Sequence, residues 1–173
     1  MSNQNPPSPK PPPPPDFERC LEVYSYQYIA IPLLLLIPIL ALLGVFGETS
    51  AATAAESPGL SLAVDYPDRM HAGMGNEIAI AVTNESGEDM PLLEVLVDQA
   101  YLDKFVDVSF TPDAARLTGE YAVIELHDVA AGETRLVTIQ IHGRWVGAQE
   151  ADIRVRAGAN ADVSTTISTF VFP

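Results

Sequence analysis

The sequence predicts an all-β domain, an antiparallel β-sandwich of seven to eight short strands, preceded by one transmembrane α-helix and a disordered proline-rich N-terminus. Three observations predict it. From Gly59 to Pro173 apolar and polar side chains alternate in short runs separated by turn residues, the pattern of half-buried strands. From Val23 to Gly47 there is no charged side chain at all. Before that, the first sixteen residues contain eight prolines and no large apolar residue beyond Met1.

The leader, residues 1–22, cannot build a core, because proline fixes φ and lacks a backbone donor; it reads as a solvated cytoplasmic spacer. The apolar stretch follows at residues 23–47. Ile29 to Phe46 (IAIPLLLLIPILALLGVF) is almost wholly aliphatic. As a helix these eighteen residues reach about 27 Å, close to the hydrocarbon thickness of a bilayer. Tyr24, Tyr26 and Tyr28 stand at one end, where amphipathic rings favour the interface.

Pro32 and Pro38 lie inside the stretch, each deleting a backbone hydrogen bond and able to bend the helix. They are read either as a face shaped for a neighbouring membrane subunit or as ordinary proline tolerance in a span. Gly44 and Gly47 would add a small-residue notch to that contact face.

A cleavable signal peptide is the rival, with Ala52-Thr53-Ala54 as a small-residue site. The long apolar core and a leader that is not basic oppose it. Lys10 and Arg19 precede the stretch, and nothing basic follows until Arg69. The positive-inside rule therefore puts the N-terminus in the cytoplasm and the C-terminal domain outside. Cys20, the single cysteine, then lies at the inner membrane surface as an acylation site or an idle thiol. Residues 48–58, small and polar, read as a linker.

The strands of the C-terminal domain follow in order. Leu60, Leu62, Val64 and Tyr66 share one face of the first; Ile78, Ile80 and Val82 mark the second; Leu93, Val95 and Val97 the third. Val106, Val108 and Phe110 mark the fourth. In the fifth, either Tyr121 and Val123 or Ala122, Ile124 and Leu126 face inward. Leu136, Thr138 and Gln140 alternate with Val137, Ile139 and Ile141 in the sixth. Ile153 and Val155 mark the seventh, and Val163 to Phe172 the last. Turns are expected at Gly73 to Asn76, Asn84 to Asp89 and Ala131 to Glu133. Asp98 to Phe105 reads as a helical turn.

The run Leu62-Ala-Val-Asp-Tyr-Pro, then Gly75-Asn-Glu-Ile-Ala-Ile-Ala-Val-Thr-Asn84-Glu-Ser-Gly, resembles the opening of bacterial Ig-like domains of the CARDB type. Leu126-His-Asp-Val-Ala-Ala-Gly132-Glu-Thr-Arg-Leu-Val-Thr-Ile is similar to a hairpin of those domains. The resemblance implies an Ig-like sandwich over nearly all of Gly59 to Pro173. It implies little about function, because such sandwiches host many roles.

Composition narrows the function classes. The chain carries 23 acidic and 9 basic side chains, a formal net charge of -14. That disfavours nucleic acid, which needs a concentrated basic surface, and equally disfavours docking onto anionic lipid head groups. His71, His127 and His142 show no metal-ligand spacing. No nucleophile elbow is present for a Ser-His-Asp hydrolase. Glu85 to Asp89, and Asp103 with Asp107, are acidic but do not follow a calcium-loop pattern, and read as solvated surface. Asn84-Glu85-Ser86 is a glycosylation sequon, relevant only in a eukaryotic secretory pathway.

Trp145, beside Arg144, is either an exposed hot spot for a partner or a ring folded back over a sheet edge. No catalytic residue, metal or cofactor is expected. The expectation is a non-enzymatic single-pass protein of the cytoplasmic membrane with its Ig-like domain periplasmic or extracellular. It would be an accessory or scaffolding subunit of a larger complex, with integral membrane protein and the lipid bilayer as partners. The alternative is a tethered adhesive or carbohydrate-binding module.

Overall fold

Leucine and alanine, which lose little side-chain freedom and carry no competing polar group, favour a helix, and Gln27–Leu42 forms one, α1, with Pro32 and Pro38 inside it. The computed structural model describes residues 27–44, 47–113, 116–158 and 161–173. Residues 1–22 with Cys20, residues 23–26 of the expected span and residues 45–46 lie outside the described residues. From Tyr28 to Leu43 every side chain of this segment is exposed except that of Leu40, which is half-buried.

The helix is stopped by its C-terminal geometry. Leu43 N–H donates to Ile39 O at 3.0 Å, Gly44 N–H to Ala41 O at 3.0 Å, and Gly44 takes φ +75°. A left-handed residue just past the last turn is the usual glycine stop. This corrects the expected notch: Gly44 and Gly47 both lie beyond the helix, so they do not share a helical face. Sixteen residues reach about 24 Å. Among the described residues no helix is long and apolar enough to cross a membrane.

Contacts divide the chain at Phe46, and Gly47–Pro173 forms the second unit. It contains β1 (Thr49–Ser57), β2 (Leu60–His71), β3 (Gly75–Asn84), β4 (Met90–Asp98), α2 (Gln99–Leu102) and β5 (Phe105–Thr111). Then come β6 (Arg116–Leu117), β7 (Tyr121–Val129), β8 (Thr134–Gly143), β9 (Gly147–Ala157) and β10 (Ala161–Phe172). The hydrogen-bonded order is β5-β8-β3-β2-β10-β9-β4-β7-β6, with β1 on the side of β2.

The sheet curls into two layers because β2 changes neighbours along its length. Leu60 to Asp65 pair antiparallel with β3, whereas Arg69 to His71 pair parallel with Phe170 to Phe172 of β10. One layer is therefore β5-β8-β3 with the first half of β2, and the other is β10-β9-β4-β7-β6. Their inner faces share one core. Leu62, Val64, Ile78, Ile80, Val137, Ile139 and Ile141 come from the first layer. Val95, Val97, Ile124, Ile153, Val155 and Ile167 come from the second. In β7 the inward set is Ala122, Ile124 and Leu126, with Val123 also covered on the other face.

The expected linker is a strand. Thr49 to Ser57 pair antiparallel with β2 from Arg69 to Leu60, and Ala51, Thr53, Ala55 and Ser57 alternate half-buried with exposed neighbours. Small side chains carry almost no hydrophobic contrast, so a period of two is invisible in composition. The backbone ladder makes the strand. Thr53 Oγ1 lies 3.0 Å from Thr165 Oγ1, tying β1 to β10 as well. The second addition is β6, two residues paired with Val123 and Ala122, which raises the strand count to ten.

The helical turn lies where expected. The Asp98 side chain caps α2 by accepting from Ala100 N–H at 2.8 Å, and Tyr101 and Leu102 point into the core. Tyr101 is 2% exposed; its ring packs on Phe105 at 4.8 Å, and its hydroxyl lies 3.0 Å from that of the fully buried Thr169. Burial pushes the Tyr101 hydroxyl up to about 12, against the opposing pull of the Thr169 hydrogen bond.

A raised pKa gives stability that is whole below the unfolded value near 10 and is lost as pH climbs through the folded value. Stability should therefore fall by about 2–3 kcal/mol between pH 10 and pH 12 from this residue alone. Tyr101→Phe should be less stable at neutral pH by about 1 kcal/mol, because Thr169 loses its partner, and should flatten the alkaline decline. Denaturant melts of both proteins across that pH range measure it; an unchanged alkaline slope in the variant would refute the assignment.

Candidate interaction surface

The two ends of the sandwich differ in chemistry. At one end lie the start of β1, the 72–74 turn, the β8–β9 loop, the start of β5 and the end of β10. At the other lie the Asn84–Asp89 and Ala130–Glu133 loops and Gly158.

The first end holds Arg144 and Trp145. β8 and β9 are joined by Arg144, Trp145 and Val146 between Gly143 and Gly147. Gly147 takes φ +122°, which a side chain would strain. Gly143 is buried, and a Cβ there would come within 3.0 Å of His71 O and 3.1 Å of Val171 Cγ1. The 72–74 turn is fastened to this loop base: Gly143 N–H donates to Met74 O at 3.2 Å, and Gly73 N–H to Gly143 O at 2.8 Å.

Trp145 is 54% exposed, which settles the alternative of a ring folded back as core. The Arg144 guanidinium carbon sits 5.3 Å from its ring centroid, a cation–π pair that holds the indole outward. Val146 is 55% exposed and Met74 52%. On the neighbouring outer face Phe170 and Phe172 pack edge-on at 4.8 Å, and His71 lies 5.7 Å from Phe172. Met74 and the Phe170–Phe172 pair were not legible as surface in the sequence, because alternation alone does not say which face of a terminal strand is covered.

Acidic residues serve the loops. At the far end Asn84 is fully buried and its side chain is saturated. Nδ2 donates to the carbonyls of Glu88 (2.7 Å), Val129 (3.1 Å) and Ala130 (3.2 Å). Oδ1 accepts from Ser86 N–H and Ser86 Oγ at 3.1 and 2.7 Å. Asp89 accepts from Ala131 N–H at 3.0 Å and Glu133 from Ala130 N–H at 2.9 Å. The sequon asparagine is thus the staple between two loops, with no free amide to carry a glycan in the folded chain.

A groove of about 620 Å³ lies beside these loops, lined by Pro58, Met90, Leu92, Glu94, Ala157 and Ala161 among others. Asp103 accepts from Gln99 Nε2 at 2.9 Å, and Asp107 sits at φ +53° in the irregular stretch of β5. His127 lies 3.7 Å from Glu125, which also pairs with Arg116; His142 packs against Gly75. The three histidines do not share a centre. Among the described residues no group of three or more His, Cys, Asp or Glu side chains converges on a point.

No family model matches the chain, and a search of curated proteins returned no match. Solved structures similar to it include the CARDB domain of a Pyrococcus furiosus protein, at 16% identity over 67% of this chain and 96% of that one, TM-score 0.46. A crystal structure of that domain in complex with di-metal ions matches at 13% identity over 73% of this chain and 96% of that chain, TM-score 0.40. A cohesin module from a Clostridium perfringens family 33 glycoside hydrolase matches at 10% identity over 72% and 97%, TM-score 0.47.

Proposed function

We propose that the chain is a non-enzymatic, single-pass protein of the cytoplasmic membrane, with its N-terminus inside and its β-sandwich on the outer side. In this reading it serves as an accessory or scaffolding subunit of a larger complex of integral membrane proteins. The observation that carries it is α1: a helix of aliphatic residues, exposed on every side, with charge-free flanks from Val23 to Gly47. Such a surface is costly in water. Pro32 and Pro38 inside it suit a bend fitted to a neighbouring helix.

The adhesive or carbohydrate-binding alternative needs a platform of exposed rings. The Phe170–Phe172 pair beside Trp145 is the observation that favours it.

Alkaline extraction of membranes expressing the full chain, with peptide mapping, tests the anchor. The protein should stay with the membrane and retain Cys20; a mature chain beginning near Ala55 would overturn it. Mild-detergent co-purification then tests the complex. Replacing Ile29 to Phe46 with a Leu/Ala span of equal hydrophobicity should leave insertion intact and sharply reduce recovery of the co-purifying membrane protein. Undiminished recovery would move the contact to the sandwich, where Trp145 and Phe170 are the first residues to change.

A further inference from the structure

We propose that the end of the sandwich bearing Met74, Trp145 and Val146 rests in the lipid interface of the same membrane that holds α1. This deepens the anchored reading and rests on it. Exposed large apolar side chains are unevenly placed on the domain. Among the described residues they are Met74, Leu92, Leu117, Leu136, Trp145, Val146 and Phe170. Four of these seven lie at or beside one end, and the other three are scattered singly. Scattered apolar residues are normal on a soluble surface; a gathered group including an indole is not.

The charges at this end fit a lipid surface. Arg69, Arg116, Arg135 and Arg154 each form an ion pair with a carboxylate; at the far end Arg156 forms none among the described residues, and neither do Lys104 and Arg144. The last two flank the tip. Arg144 lies over the Trp145 ring, and Lys104 precedes Phe105, which pairs with Gly143. Of the carboxylates at this end, Glu48 lies 4.0 Å from His71, Asp68 pairs with Arg69 and Asp103 accepts from Gln99, while Glu77, Asp107 and Glu150 are exposed. An indole with valine and methionine below and unpaired cations around it is the composition of an interfacial anchor, whose cations reach lipid phosphates.

Chain connectivity sets the location. Thr49 pairs with Arg69 and Glu48 approaches His71, so the chain enters the domain at this end. Only residues 43–47 separate Glu48 from the last residue of α1. Even fully extended they allow about 20 Å. The chain therefore leaves α1 and joins the domain at this end within a few residues.

Trp145 is the only tryptophan in the sequence, so its fluorescence reports on the tip alone. The full chain is reconstituted into phosphatidylcholine vesicles with and without bromine on the acyl chains near the head group, and floated on a density gradient. Flotation with blue-shifted emission, strongly quenched by the brominated lipid, supports the proposal. Replacing Met74 and Val146 with Ser, and Lys104 and Arg144 with Glu, should abolish the quenching while flotation persists. Flotation with water-like, unquenched emission overturns the docking and leaves the anchor standing. A blue shift that is unquenched and rises with protein density overturns it in favour of a contact between copies of the chain. Failure to float overturns the anchor itself.

Discussion

Asn84→Asp should be among the most destabilising single substitutions in the domain, lowering unfolding free energy by about 3–5 kcal/mol at neutral pH. The change is nearly isosteric, so packing is not the cause. Nδ2 now donates to three carbonyls; a carboxylate oxygen in its place faces acceptor against acceptor, in a site with no exposure. Acidification should recover part of the loss, since a protonated carboxyl regains one donor. Asn84→Ala should cost about 3 kcal/mol and show no such recovery. Urea melts of both variants at neutral and acidic pH decide it. Equal losses for the two, independent of pH, would mean the amide network contributes little.

Removing β1 should have the next largest effect. A domain beginning at Gly59 should be less stable than one beginning at Gly47 by a few kcal/mol, the ladder and the half-buried Ala55 outweighing the entropy regained by nine freed residues. It should also self-associate. Without β1 the donors and acceptors of β2 from Leu60 to Arg69 form a bare, long edge over the core, a template for another strand. Thermal melts with sedimentation of the two forms test this. If the shorter domain is equally stable and monomeric, β1 is a tether that lies on β2 without supporting it.

That strand shows where the sequence stopped being legible. Strands with strong contrast, such as Ile78 to Val82 or Val137 to Ile141, declare their faces because large apolar and polar residues alternate. Thr-Ser-Ala-Ala-Thr-Ala-Ala-Glu-Ser declares nothing, since its side chains differ little in size or polarity and its pairing is a property of the backbone. The same reasoning explains Asn84. Its place at the end of a strand before a turn was readable, but saturation of its amide depends on the Val129–Ala130 loop, more than forty residues away. Trp145 was readable as a candidate because it is the only such ring and stands between glycines. Its companions were not: Met74 comes from another turn and Phe170 from another strand, and only the fold brings them to the same end.

The three parallel pairs between Arg69 to His71 and Phe170 to Phe172 bear on timing as well as on shape. They fasten a strand near the start of the domain to the last residues of the chain, across about a hundred positions. A chain emerging residue by residue holds β2 ready long before β10 exists, so the two layers cannot be locked together until β10 has been made. Contacts of such separation also form slowly, because the ends of a long loop must meet before any ladder rewards them. The domain would therefore remain open, with its apolar faces uncovered, throughout its own production. Residues 170–172 of β10 would then act as the latch that closes it.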